Sequence, residues 1–209
     1  MPSSFSPSTL EVRRPMLRRL AIPSVALLLA ACSSAPPPPR FPDIHFLNEP
    51  PIALDVGSVE VVSNFQPTFR APDVEHEFAI PPQRALENLA HDRYRPTMVQ
   101  PDRRARFTID DASVREVPLP LSGGVQGALT REQEARFDAH AAVKIEILDA
   151  NGFVERTASA EATSSRTVPE GITLNERDQV WYEITQSLAH DIDRELARQV
   201  LTIFPPYVH

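Results

Sequence analysis

A single cysteine, Cys32, in 209 residues leaves no partner for an internal disulfide. Glycine is scarce, six in all, and the richest stretch, Ser122-Gly123-Gly124-Val125-Gln126-Gly127, is not followed by the Lys-Ser/Thr pair that a phosphate-cradling loop requires. No G-x-S-x-G elbow or S-x-x-K pair is present, so no familiar hydrolase nucleophile is marked. Six histidines occur without H-x-x-x-H or paired-cysteine spacing, so no metal ligand set is indicated. No apolar run reaches the roughly 20 residues of a membrane-spanning helix.

The N-terminal region carries the sharpest signal. Met16-Leu17-Arg18-Arg19 is basic, Leu20 to Ala31 is apolar, and the run ends Leu29-Ala30-Ala31-Cys32. A basic stretch, a short apolar stretch and small residues at a cleavage point are the parts of an export signal. With the cysteine next in line, the segment resembles the lipobox of bacterial lipoproteins. That resemblance implies cleavage before Cys32 and a covalent lipid on its thiol, with no other cofactor. Residues 1–31 are therefore expected to be a signal peptide, with Met16 as an alternative start. By resemblance to enterobacterial lipoproteins, Ser33 rather than Asp at the second mature position implies the periplasmic face of the outer membrane.

Removing residues 1–31 takes away four arginines and one acid, so the remainder holds 17 basic and 27 acidic side chains, net −10. Such a chain repels phosphate backbones, which argues against nucleic acid as a partner. Residues 32–51 are proline-rich and lack an apolar period, so they are expected to form an extended tether.

Residues 52–204 are expected to form one periplasmic domain, with 205–209 as a tail. Ile52, Leu54, Val56, Val59 and Val61 predict a strand with a slip at Gly57. Pro81-Pro82 opens a helix burying Ala85, Leu86, Leu89 and Ala90. Phe107 to Val117 predicts a second strand. Phe137, Ala139, Ala141, Val143, Ile145 and Ile147 alternate strictly and predict a third. Asp149-Ala150-Asn151-Gly152 predicts a hairpin turn, with Asn-Gly supplying positive φ values. The fourth strand presents Ala158, Ala160 and Ala162 as a shallow face. Thr173 to Glu176 reads as a capping box before a long amphipathic helix through Trp181, Ile184, Leu188, Ile192, Leu196, Val200 and Ile203. The order β-α-β-β-β-α predicts an α+β fold, an antiparallel sheet of about four strands with two helices on one face.

The lipobox, the proline tether and this order together resemble small outer-membrane lipoproteins that assist envelope lipid transport. These are the lipopolysaccharide-assembly lipoprotein and the auxiliary lipoproteins of ABC-type transport systems. The resemblance implies a non-enzymatic accessory protein, lipid-anchored in the envelope, that binds a partner protein or a transport complex. The alternative is a periplasmic carrier whose helix-sheet layer opens around an acyl chain. Contact candidates are the polar sheet face and the loop from Ser122 to Thr130, with Leu121, Gly123, Gly124, Val125 and Leu129 as its principal residues and Leu119 beside it. Glu75-His76-Glu77 and His190-Asp191-Ile192-Asp193 read as solvated polar faces.

Overall fold

The computed structural model describes residues 41–120 and 133–208. In chain order the main elements are strands β1 (Ile52–Leu54) and β2 (Ser58–Ser63), helix α1 (Pro82–Arg93), strands β3 (Tyr94–Pro96), β4 (Arg104–Pro118), β5 (Gln133–Leu148) and β6 (Val154–Pro169), and helix α2 (Leu174–Ile203). The expected α+β fold is present. A four-stranded sheet runs β2-β4-β5-β6, antiparallel except where β2 meets β4. That pair is parallel because α1 carries the chain back between them. Alternation buries Phe107, Ile109, Phe137, Val143, Ile145 and Ile147 on the inner face. The small inward side chains of Ala158 and Ala160 let α2 lie close on β6.

Local signals place both helices. Pro82 sits in the first turn of α1, where its missing N–H costs nothing. Thr173 and Glu176 form the expected capping box, with the Glu176 N–H donating to Thr173 Oγ1 and the Thr173 N–H donating to Glu176 Oε2. Trp181, Ile184, Leu188, Ile192, Leu196 and Val200 are all buried. Trp181 stacks on Phe78 at 4.7 Å between ring centroids and meets the Phe137 ring edge-on. The helix-sheet layer is thus filled by side chains of this chain.

Three expectations about boundaries are corrected. The first strand is two strands in two sheets, for β1 pairs with β3 and β2 with β4. Gly57 lies at the crossing, where its N–H donates to the Arg103 carbonyl and a Cβ would come within 2.3 Å of the Pro101 carbonyl oxygen. Close backbone approach, rather than a bulge, is what requires glycine. Residues 41–51, expected in the tether, are packed onto the body. Ile44 and Phe46 are buried, Phe41 stacks on Tyr182, and Asp92 accepts from the Phe46 N–H. The C-terminal tail also packs, because Tyr207 is buried and its carbonyl accepts from the Asp55 N–H. In the β5–β6 turn only Gly152 takes a positive φ, +87°, whereas the Asp149 carboxylate holds the N–H groups of Asn151 and Phe153.

Gly57→Ala is expected to destabilise the protein by about 1–3 kcal/mol, the usual range for overpacking. A shift of the urea midpoint measures it, and an unchanged midpoint would show that the Gly57–Pro101 approach is not a constraint.

Candidate functional site

The residues singled out from the sequence, Leu29, Ala30, Ala31 and Cys32 at the lipobox and Leu121, Gly123, Gly124, Val125 and Leu129 in the loop, lie outside the described residues. Leu119, which precedes that loop, is half-buried, and its N–H donates to the Glu134 carbonyl. Three other places in the described body carry unassigned chemistry.

The first is the end of the sheet where β4 begins and β5 turns into β6. Arg104 pairs in register with Leu148, so the 97–103 loop and the 149–153 turn lie at the same end. Met98, Val99, Phe153 and Val154 are exposed there, Phe153 at 72%. Met98 adopts φ +64°, a conformation that unbranched and branched side chains alike avoid. Arg95, Arg104 and Arg156 are exposed nearby, and among the described residues none of them forms an ion pair. Arg103 differs, being held by Glu155 at 3.0 Å and lying over the Tyr207 ring. Exposed apolar side chains gathered among free cations are an unusual surface for a monomer. Sequence periodicity gives no hint of it, because an exposed Phe or Met breaks no pattern.

The second is a cleft of about 480 Å³ between the connection after β2 and the start of α1. Phe65, Pro67, Phe69, Pro81 and Ala112 form its apolar lining, with Glu75 and His76 among its polar residues. Glu75 is 2% exposed, so the expected solvated reading of Glu75-His76-Glu77 is corrected at this residue. Its placement has a local cause. β2 stops at Ser63, and beyond it the connection takes over the edge of β4, with Val74 N–H donating to the Val114 carbonyl and Glu116 N–H to the Pro72 carbonyl. Glu75 Oε2 accepts from the Val114 N–H at 3.3 Å, standing in for a strand carbonyl. Asp193 is likewise buried, paired with Arg93 and not on the polar side of α2.

The third is the outer sheet face. A bulge between Ile109 and Asp111 turns both Asp110 and Asp111 outward. Asp110 accepts from Lys144, the only lysine in the chain, at 2.8 Å and from Asn64 at 2.8 Å. Asp111 meets His140 Nδ1 at 3.0 Å. Partial burial pushes both carboxyls up, but the hydrogen bonds from Lys144 and Asn64 on one, and from His140 and Ser113 on the other, outweigh it, and both lie below the ordinary carboxylate range. Among the described residues no group of three His, Cys, Asp or Glu is arranged to hold a metal ion. Among them, too, no helix is long and apolar enough to cross a membrane.

No protein-family model matches the chain, and no curated protein matches it. Solved structures with a partial likeness include a protein of Caulobacter crescentus CB15 assigned as a lipoprotein, at 14% identity and TM-score 0.35, covering 69% of this chain and 90% of that one. A minor lipoprotein from Acinetobacter baumannii matches at 13% identity and TM-score 0.37, covering 73% of this chain and 96% of that one. A dodecameric PelC variant from Paraburkholderia phytofirmans matches at 15% identity and TM-score 0.23, covering 69% of this chain and 92% of that one. Likenesses of this size assign no residue a role here.

The outer-face ion pairs give stability an acid limit. Asp110 has a folded-state pKa below its unfolded value, so its contribution is full above the ordinary carboxylate range and is lost as pH falls through the folded value. Lys144→Met is expected to lower stability near neutral pH, and the gap from the native protein should close between about pH 5 and about pH 2. Urea titrations across that range measure it, and a gap independent of pH would contradict the assignment.

Proposed function

We propose that this chain is a lipid-anchored accessory protein of the bacterial cell envelope that binds a partner protein through the sheet end carrying Met98, Val99, Phe153 and Val154. The lipid sits on Cys32, and the periplasmic face of the outer membrane is its place. The role is one of binding, without catalysis, and the partner is an envelope protein or a transport or assembly complex.

The observation that carries this reading is spatial. The described chain enters the body at Phe41, stacked on Tyr182 in the first third of α2. α2 starts just after β6 ends and runs back along the sheet, so Tyr182 lies toward the end remote from the β5–β6 turn. The exposed apolar side chains and exposed arginines lie at the other end. Strands of 16 residues span about 50 Å. Eight residues, Ser33 to Arg40, separate the lipidated thiol from the packed chain and reach at most about 28 Å. The apolar end is therefore the end of the described body remote from Phe41, where the tether joins it, and it leaves that end open to a partner. Arginines Arg95, Arg104 and Arg156 favour an acidic rim on the partner, since complementary charge steers association. The filled helix-sheet layer favours this over a carrier that opens around an acyl chain.

Two measurements test the two halves. Palmitate labelling is expected on the native chain and absent from Cys32→Ser, which should also leave the membrane fraction; labelling that persists would end the anchor half. A photo-crosslinker in place of Phe153 is expected to give one defined adduct in intact cells, lost on Arg104→Glu, whereas the same group in place of exposed Glu161 gives none. Equal adducts from both positions would remove the binding end.

A further inference from the structure

We propose that the cleft between the β2–α1 connection and the start of α1 is a binding site for a small organic amine, an ammonium head carried on an apolar body, with Glu75 as the acceptor of the head. This goes beyond the reading of the sheet end and does not rest on it, since the two surfaces share no residue.

The head group is assigned by what Glu75 lacks. Its carboxyl is nearly enclosed, yet among the described residues it receives one hydrogen bond, the 3.3 Å contact of Oε2 with the Val114 N–H, and no cation pairs with it. Oε1 accepts none. Buried carboxyls are ordinarily satisfied by several donors or by an opposite charge. The one guanidinium lining the cleft, that of Arg84, is already engaged by Asp43 at 2.6 Å, so it does not serve Glu75. Beside Glu75, His76 Nδ1 is buried and among the described residues has no hydrogen-bond partner, and its Nε2 is 3.8 Å from Glu77 Oε1. Two adjacent polar groups in one cleft wall are thus short of partners. An ammonium supplies three donors from a single atom and an opposite charge, which is what Glu75 Oε1 lacks. An anion is disfavoured by Glu75 and Glu87, and a neutral ligand leaves the carboxyl without its counter-charge.

The body of the ligand is assigned by the walls. Phe65, Pro67, Phe69, Pro81 and Ala112 offer apolar contact, and phenyl faces attract cations as well as hydrocarbon. Phe69 is 69% exposed and is held at φ +55°, with its ring 5.2 Å from that of His76. A bulky residue in that conformation stands over the mouth of the cleft instead of turning into the core. The volume is that of a small-molecule site.

The test uses the full-length protein in phosphatidylcholine nanodiscs, with empty nanodiscs as the blank, and isothermal titration with 3-phenylpropylamine and its neutral counterpart 3-phenylpropanol. Saturable binding of the amine is expected, at least tenfold tighter than the alcohol. Glu75→Gln keeps an oxygen for the Val114 N–H and should bring the two ligands within threefold of each other. Phe69→Ala, a change at an exposed side chain that leaves folding intact, should weaken the amine by at least threefold. Perturbation of the His76 ring resonances by the amine locates it. The proposal is overturned if amine and alcohol bind alike to the native protein, if the amine shows no saturable binding, if Glu75→Gln leaves the preference unchanged, or if Phe69→Ala leaves amine affinity unchanged. Arg104→Glu, at the far sheet end, should not alter amine binding, which keeps failure here separate from failure of the partner surface.

Discussion

One buried ion pair ties three parts of this fold together at a single point. Arg93, the last residue of α1, donates from Nε to Asp193 of α2 at 2.7 Å, and both side chains are only 6% exposed. The same guanidinium donates from Nη1 to the carbonyl of Pro50, so the entry segment is tied to both helices at one point. Desolvation takes back much of the Coulomb gain from such a pair. Its importance lies in the cost of losing one partner, which leaves an uncompensated charge in the core. Tyr94 comes next in the chain. Burial, assisted by the charge of Asp193, pushes its phenol well above its ordinary value, against the opposing pull of Arg93. β3 starts at that tyrosine and pairs with β1, so the small parallel sheet takes its position from the end of α1.

The two faces of the large sheet do different work. The inner one is mostly hydrocarbon, broken by Ser164 and Glu116, and its side chains set the distance at which the helices ride. The outer one is a surface of acids matched with Lys144, His140, Arg106 and Arg136. Its bulge is what keeps the inner alternation intact. By taking Asp110 and Asp111 outward together, β4 returns Ala112 and Val114 to the core in step with Ala141 and Ala139.

Elements with a sustained period were legible in the sequence. The alternation from Phe137 to Ile147, the capping box at Thr173 and the stripe from Trp181 to Val200 each carry their own local cause, and each stands in the structure where that cause puts it. Features set by distant contacts were not. Nothing near Gly57 announces Pro101, so a crossing between sheets reads as a slip within one strand. Phe41 to Pro51 has too little hydrocarbon to form a period, yet Ile44 and Phe46 find slots along α1. Glu75 looks solvated because acids usually are. Only the early end of β2 leaves an edge N–H for it to cover. The exposed Phe153 and Met98 are invisible for a related reason, since exposure is a property of the assembled surface and not of the residue.

The docked entry segment also decides how the body meets mechanical load. From Phe41 to Phe46 the chain lies along α1, and its contacts come in sequence: Asp43 with Arg84, the Ile44 carbonyl with Asn88, the Phe46 N–H with Asp92. Tension directed along that line loads these contacts in shear, all at once, instead of peeling them one after another. The guanidinium of Arg93 on the Pro50 carbonyl closes the series at its far end, where a clamp resists slippage of everything before it.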